Sequence, residues 1–358
     1  MAEAPKKPGW LSWVLGPLLG VAGIAIAAAG GAGAETAADA KESPAEAEVA
    51  AMADFARELT PEKHLDMTRD SQRQSPEGRR NILHISHLIA DVTRHGRAAT
   101  APILARLPKS DKWEAFWLLE ALSDLKDPQA VETLVRFASG DDADYRGRGI
   151  RGLMVLGPVG VAPLVRLCED PRPAVRQAAV GALTDVLERE KGRLSDDQTE
   201  AIFGAAICLK HDADTMVRYS TMFTLAKGDR RYTPHLVAFL EDSDPLVVGD
   251  TIPVLGERGD PAAVPALMKI LLRHRDEHHL SKGGRLGYSA ALAVAKLADL
   301  TLPPLRKTYR DGGSPPHAVP LPVEYGHEEQ MAFVVRWWQT EGEAKYGKPE
   351  TVAPEEKK

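Results

Sequence analysis

The chain has 358 residues, of which 44% are hydrophobic and 27% charged, a balance typical of a soluble globular protein. Its formal net charge is −6, so it has no global basic field to hold a polyanion, and a nucleic acid is not expected as its main partner. The two cysteines, Cys168 and Cys208, form no CxxC or Cys/His spacing, which argues against zinc, haem and thioredoxin-like chemistry. We expect no cofactor. The cysteines could pair, but two buried free thiols are the simpler expectation.

The N-terminal segment at residues 1–34 predicts the compartment. Lys6 and Lys7 precede an uncharged stretch at 10–34, and mainly acidic residues follow it, which orients the remainder of the chain outside the cytoplasm. The stretch ends in the small-x-small sequence Ala32-Gly33-Ala34, typical of a signal peptide, but it is also long enough for a signal-anchor helix. Both alternatives predict an exported protein. It is either periplasmic or extracellular, or it is anchored in the membrane with its body outside the cytoplasm.

A flexible linker is predicted at residues 35–51, because their composition of Ala, Glu, Lys, Pro and Ser is too polar to fold alone. Beyond it, an amphipathic pattern recurs about every 30 residues, with two polar insertions. Its clearest copy has apolar or small residues at helical spacing, namely Val175, Ala178, Ala179, Ala182, Leu183, Val186 and Leu187. The same frame starts again at Tyr145, Val217, Val247 and Gly287.

A second helix in each unit is predicted where proline precedes Leu or Ile, because proline is favoured in the first turn of a helix. These starts are Pro102-Ile103, Pro163-Leu164, Pro234-His235-Leu236, Pro265-Ala266-Leu267 and Pro304-Leu305. Acidic turns are predicted between the units, at Asp127-Pro128, Asp170-Pro171, Asp244-Pro245 and Asp260-Pro261.

These motifs resemble those of HEAT-repeat proteins, specifically the short repeats named after phycobilisome lyase subunits. The resemblance covers residues 78–310 and implies an all-α fold, an α-solenoid made of a superhelical stack of HEAT-type helical hairpins. We therefore predict a HEAT-repeat solenoid at 52–310, a Pro/Gly-rich loop at 311–325, a C-terminal capping helix at 326–345 and a disordered tail at 346–358.

The predicted repeats and capping helix assign roles to two further sets of residues. Asp170/Arg176 and Asp212/Arg218 share a six-residue offset, and we expect them to form an inter-repeat ladder that ends where Val248 replaces the arginine. Trp337 falls off the apolar stripe of the predicted capping helix, so it could be partly exposed and contribute to binding.

Basic side chains follow the starts of successive predicted second helices by two to four residues. If these helices line one face, the side chains could bind an acidic peptide or a carboxylated glycan; ordinary solvated charges are the simpler alternative. The residues are Arg106, Arg136, Arg166, Lys269 and Arg306 or Lys307.

No nucleophile elbow, phosphate loop, HExxH or paired-carboxylate motif occurs in a convincing context, so we predict no catalytic residue and no enzyme. The leading hypothesis is a non-catalytic scaffold of the cell envelope that binds a protein or peptide, with membrane contact through the N-terminal segment if it is not cleaved. The alternative is an enzyme, or enzyme subunit, with a metal site at His274 and His278 in a His-rich insertion, although the adjacent arginines oppose a cation.

Overall fold

The computed structural model describes residues 43–59, 61–67, 75–277, 282–309 and 322–348, and most of these are helical. The helices are α1 (Pro44–Glu58), α2 (Pro61–Met67), α3 (Pro76–Arg94), α4 (Thr100–Arg106), α5 (Lys112–Asp124), α6 (Val131–Ala138), α7 (Ala143–Val155), α8 (Val161–Leu167), α9 (Pro173–Arg189), α10 (Asp196–Leu209), α11 (Thr215–Ala226), α12 (Thr233–Val237), α13 (Pro245–Arg258), α14 (Val264–His274), α15 (Lys282–Ala298), α16 (His327–Trp337) and α17 (Glu343–Tyr346). Two short antiparallel strands, β1 (Arg306–Tyr309) and β2 (Pro322–Tyr325), pair with Arg306 opposite Tyr325. The predicted α-solenoid fold is confirmed.

The chain divides into two compact units, at residues 1–156 and 157–358. The predicted apolar N-terminal segment at 1–34 lies outside the described residues. Within the described part of the chain, no helix combines the length and the apolar character needed to cross a membrane.

Helix α1 corrects the predicted linker, because residues 44–51 are helical. A capping box starts the helix: the Ser43 hydroxyl accepts from the Glu46 amide at 3.2 Å, and the Glu46 carboxylate accepts from the Ser43 amide at 2.7 Å. The alanines that resemble linker composition form a buried face of small residues with Val49 and Met52. This face packs against α3 and α5 within the first unit.

In the second unit, the first helices α9, α11, α13 and α15 pack against one another in succession. The predicted frame in α9 is right for Val175, Ala179 and Leu183, which are buried. It is wrong for Ala178, which is exposed, and it misses Val180, which is fully buried. A helix placed between two neighbouring repeats buries a wider face than a helix with a single neighbour, which explains why Val180 is also buried.

The acidic turns have two locations rather than one. Asp170-Pro171 and Asp244-Pro245 lie between helical pairs, as predicted, whereas Asp127-Pro128 and Asp260-Pro261 begin 3₁₀ turns inside a pair, just before α6 and α14. Asp and Pro suit both places, because the carboxylate accepts a free amide and proline needs no acceptor.

The C-terminal end of the described solenoid also differs from its prediction. Pro304-Leu305 do not begin a helix: residues 301–305 are irregular and lead into β1. Consecutive prolines at 303 and 304 supply no amide donors, so a helix cannot be completed there. Helix α16 buries Met331 and Val334 against the core that includes α15, and a π turn at Trp338–Gly342 continues it into α17.

The cysteines are both free. Cys168 is buried, and burial raises the pKa of its thiol to about 12. Cys208 is exposed, which corrects the expectation of two buried thiols.

Candidate functional site

Arginine rungs join consecutive repeats of the second unit. The Arg176 guanidinium chelates the Asp212 carboxylate through Nε and Nη2, at 2.7 and 2.8 Å, and Arg218 chelates Asp242 in the same way at 2.7 and 2.9 Å. Each arginine also donates from Nη1 to the carbonyl oxygens of its own preceding turn, at Asp170 and Pro171 for Arg176. One side chain therefore ties its own turn to the turn of the next repeat.

The rung aspartates are held in their ionised form. Burial alone would raise the pKa of Asp212, but hydrogen bonds from Arg176 and from the Asp214 amide hold it below its ordinary value. The pKa of Asp242 is lowered in the same manner, by Arg218 and the Asp244 amide. Asp170 contacts Arg172 through its carboxylate and offers Arg176 its backbone carbonyl. The rungs thus pair each arginine with the carboxylate of the following repeat.

The sequence analysis did not name Asp242 as a ladder residue, although it lies six residues before Val248, the offset shared by Asp170/Arg176 and Asp212/Arg218. It also did not name Arg146, which makes the local part of the same contact in the first unit. Arg146 donates to the carbonyl oxygens of Gly140 (3.3 Å) and Asp141, which is the same local geometry as that of Arg176. The signal that could have found Arg146 is its place directly after Tyr145, matching Val175-Arg176 and Val217-Arg218.

Threonine–aspartate contacts tie successive second helices. The Thr233 hydroxyl donates to Asp260 at 2.6 Å, and in the first unit Thr100 donates to Asp127 at 2.7 Å. Both pairs are buried and span 27 residues. These contacts explain why the two in-pair aspartates are buried.

The predicted basic positions do not form one uniform set. Arg106 belongs to an internal cluster: its Nε donates to the buried Glu114 carboxylate at 2.6 Å and its Nη2 to Asp54 at 2.7 Å. Lys269 pairs with Glu241 at 2.8 Å. The charges of Arg106 and Lys269 are therefore already neutralised by acidic side chains of this protein. Helical spacing alone could not identify these acidic partners.

The other three basic positions differ from these. Arg136 and Arg166 are exposed, and neither forms an ion pair with a described residue. Arg136 lies over the ring of Phe137 at 5.6 Å, a cation–π distance. Arg306 is the first residue of β1, paired through its backbone with Tyr325, rather than a helical residue.

Trp337 is half-buried. Its ring lies 6.3 Å from that of Trp338 and 6.0 Å from that of Tyr346, and Gly342 packs against both tryptophans. These contacts place Trp337 in the C-terminal cap, with only part of its ring open to a ligand.

Of the two histidines that the sequence suggested as a metal site, only His274 lies among the described residues. His274 Nδ1 lies 2.7 Å from Glu277 Oε1, while His278 falls outside the described residues. Within the described ranges, no group of three His, Cys, Asp or Glu side chains is placed to hold a metal ion.

A groove of about 490 Å³ lies in the second unit and is here called the α9–α11 groove. It lies between the α9–α10 loop and the turn after α11. Its lining includes Leu187, Glu188, Lys191, Leu194, Phe203, Lys227, Gly228, Asp229, Arg231 and Tyr232. The sequence contained the loop as a polar insertion but gave no reason to connect it with residues 227–232.

A stacked aromatic pair forms one wall of the α9–α11 groove. The rings of Phe203 and Tyr232 lie 4.2 Å apart at 25°, and both residues are almost fully buried. Gly228 is required beside them, because a Cβ atom there would lie 2.3 Å from Tyr232 Cδ2. The wall is therefore preformed.

Most charges of the α9–α11 groove neutralise one another. Lys227 pairs with Glu188, and Arg231 pairs with Asp229 and with Glu200 at 3.1 Å. Lys191 differs: it is exposed and forms no ion pair with any residue in the described ranges. The groove thus combines an apolar wall with one uncompensated cation.

Comparisons with known proteins support the repeat assignment. Residues 161–189 match the family described as HEAT repeat, and residues 205–278 match a second family of HEAT repeats. Comparison with curated proteins gave no match.

Similar solved structures include an engineered protein (18% identity, 70% of this chain and 74% of that chain, TM-score 0.42). Others are a structure of Kap95p with RanGDP (13%, 70% and 41%, TM-score 0.46) and the CpcE–CpcF complex of phycocyanin lyase from Nostoc (15%, 67% and 95%, TM-score 0.31). The chain thus spans less than half of the matched chain in the Kap95p structure. Because each TM-score is below 0.5, these likenesses carry no argument about function.

Proposed function

Because the chain contains HEAT repeats, we propose that it is a non-catalytic scaffold of the cell envelope that binds a protein or peptide partner. The α9–α11 groove is the observation that supports this proposal most strongly. It sets an apolar wall beside charged side chains, a combination that can hold and orient a bound segment. The uncompensated charge of Lys191 gives it a preference for a segment that carries a carboxylate.

The ionisation of the groove side chains favours binding over catalysis. Hydrogen bonds from the Arg231 amide and guanidinium lower the pKa of Asp229, so its carboxylate stays ionised and is a weak base. Burial, together with the nearby Glu200 carboxylate, raises the pKa of Tyr232, so its hydroxyl stays protonated at neutral pH. These groups can orient a ligand but are poorly matched to proton transfer.

The rungs contribute to the same proposal. They hold successive helical pairs of the second unit in fixed positions, so the groove does not have to be ordered when a partner arrives. Preorganisation of this kind lowers the entropic cost of association.

A cell-envelope location is proposed from the N-terminal sequence, in which Lys6 and Lys7 precede the uncharged stretch at 10–34. Fusing alkaline phosphatase after residue 348 tests it, because that enzyme is active only outside the reducing cytoplasm. An inactive fusion that is nevertheless expressed would contradict the proposed location.

Site-specific photo-crosslinking tests the binding role. A photoreactive residue at position 199, which also lines the groove, should capture one defined protein in native cells, and the same residue at exposed Glu257 on α13 is the matched control. Adding Lys191→Glu to the position-199 variant should weaken capture, because it reverses the one uncompensated charge of the groove. Equal capture at positions 199 and 257 would remove the support for this groove as a partner site.

A further inference from the structure

One side of the α9–α11 groove is a single short stretch of chain, residues 227–232, here called the groove segment. It connects α11 to α12, and five of its six residues line the groove, the exception being Arg230. The residues that flank it are Ala226, at the end of α11, and Thr233, at the start of α12. The positions of these two residues therefore determine where the groove segment lies.

Both flanking residues are held by one side chain of the next helical pair. Arg258, the last residue of α13, donates from Nε to the Thr233 hydroxyl at 2.9 Å and from Nη1 to the Ala226 carbonyl at 3.2 Å. The Thr233 hydroxyl donates in turn to the buried Asp260 carboxylate at 2.6 Å. Because a guanidinium is planar and rigid, its two donors keep the ends of the groove segment at a fixed separation.

The contact between threonine and aspartate does not itself require this arginine. In the first unit, the Thr100 hydroxyl donates to Asp127 at 2.7 Å, and no arginine of the described residues donates to Thr100. Arg258 adds the second contact, to the Ala226 carbonyl, and this contact closes the groove segment between its two ends.

The environment of Arg258 does not favour a role in stability alone. No described carboxylate lies within ion-pair distance of it, and its Nη2 is shielded from solvent with no hydrogen-bond partner in the described ranges. A donor left in this state destabilises the folded chain, and an apolar side chain would avoid that penalty. What the guanidinium does supply is the geometry of the groove segment.

The ion pairs that join the groove segment to the rest of the groove are exposed. Lys227 pairs with Glu188. Arg231 pairs with Glu200. The four side chains are between 40% and 67% exposed, and exposed pairs of this kind stabilise little. The stacked aromatic pair anchors one side chain of the segment, which leaves the guanidinium as the contact that holds both of its ends.

We propose that Arg258 is a positioning residue for the α9–α11 groove: it fixes the groove segment from the next helical pair and so controls whether the groove can accept a partner. The inference rests on the proposed function, because it concerns the same groove. It also extends the site beyond its lining, since α13 contributes no lining residue. Partner binding is therefore sensitive to a change in the helical pair that follows the groove.

Amide hydrogen exchange of the full chain, followed by NMR, tests this role without a partner. The Arg231 amide donates to Asp229 Oδ1 at 2.9 Å and the Tyr232 amide to the Asp229 carbonyl at 3.1 Å, so both report on the groove segment. In Arg258→Met, both amides should exchange at least about ten-fold faster, because two hydrogen bonds to its ends are lost. The amide of buried Leu183 should keep its rate, which separates local loosening from a loss of global stability.

Arg230→Met is the matched control. Arg230 lies in the same segment, but it is exposed, does not line the groove and forms no ion pair with a described residue. Its replacement should leave both exchange rates within about two-fold. Arg258→Lys should restore only part of the protection, because one ammonium group cannot reproduce the two fixed donor directions of the guanidinium.

The link to binding is tested with the photoreactive residue at position 199. Adding Arg258→Met should reduce partner capture by about five-fold or more, because the groove segment must then be ordered when the partner arrives. Adding Arg230→Met should leave capture unchanged.

Unchanged exchange of the Arg231 and Tyr232 amides in Arg258→Met, equal acceleration throughout the chain, or undiminished capture would each overturn the proposal. If Arg258→Met does not fold, the same measurements on Arg258→Lys decide. If the unmodified chain captures nothing from position 199, the scaffold role fails, whereas the exchange rates still decide whether Arg258 holds the groove segment. The two failures are therefore distinguishable.

Discussion

Each of the two units is held together internally, and the kinds of contact that do so differ between them. In the first unit, one cluster joins three helices: the buried Glu114 carboxylate accepts from Arg57 at 2.8 Å and from Arg106 at 2.6 Å, joining α1, α4 and α5. The second unit relies on a contact that repeats, from Arg176 to Asp212 and from Arg218 to Asp242. A one-off contact concentrates stability in a few residues, whereas a repeated contact divides it among equivalent joints.

The first unit also holds a buried histidine, and none of the histidines described in the second unit is buried. His64 donates from Nε2 to the Ala56 carbonyl at 2.7 Å, and its Nδ1 accepts from the Trp117 indole at 3.1 Å. Its ring stacks on that of Trp113 at 4.5 Å. Both nitrogens are satisfied in the neutral form, so the role of His64 is structural.

The largest predicted effect breaks the first unit's carboxylate cluster. Glu114→Gln keeps the shape of the side chain but removes the charge between two arginines, and it should lower the free energy of unfolding by about 3 kcal/mol. Urea denaturation measures the change. Exposed Glu132, on α6, provides the control: Glu132→Gln should change stability by no more than about 0.5 kcal/mol.

The next effect tests packing between repeats of the second unit. Ala179 is fully buried on α9, so Ala179→Leu should overpack the joint and cost about 2 kcal/mol. Its neighbour Ala178 is exposed, and Ala178→Leu should be nearly neutral. Equal melting temperatures for the two variants would contradict the burial pattern of α9.

A smaller effect concerns pH in the first unit. Burial lowers the pKa of His64, so the unfolded chain binds the proton more readily than the folded one. Its stabilising contribution is complete above the ordinary histidine pKa of about 6.5 and is lost as pH falls through that value toward the lowered pKa.

His64→Gln should therefore be destabilised at pH 8 and show a smaller loss of stability between pH 7.5 and 5.5 than the unmodified chain. Denaturation curves at both pH values measure this difference. The pKa of His235 is also lowered by burial, but His235 is present in both proteins and cancels. If the free energy of unfolding changes equally with pH in both proteins, the pH dependence belongs to groups other than His64.

Features that recur were readable from the sequence. The helical pairs could be predicted from the spacing of apolar residues. Arg176 and Arg218 could be assigned to the inter-repeat ladder because each lies six residues after an aspartate. The break at Val248 followed from the same offset. Asp242 could have been named from the same offset, because it lies six residues before Val248.

Features that occur once could not be read in this way. His64 and Trp117 lie 53 residues apart, and Arg57 and Glu114 lie 57 apart, with no repeat to align them. The α9–α11 groove combines the loop at Lys191 with Tyr232, which only the stacking of consecutive pairs brings together. Arg106 and Lys269 occupy the helical positions expected of them, but their acidic partners depend on side-chain packing across elements.

The most direct test of the repeated joint is a double-mutant cycle on Arg218 and Asp242. Unfolding free energies of the unmodified chain, Arg218→Ala, Asp242→Ala and the double variant isolate the coupling between the two side chains, which are 11% and 5% exposed. A rung that joins consecutive repeats predicts a coupling of about 1–2 kcal/mol. A coupling indistinguishable from zero would contradict the account of the second unit as a stack held joint by joint.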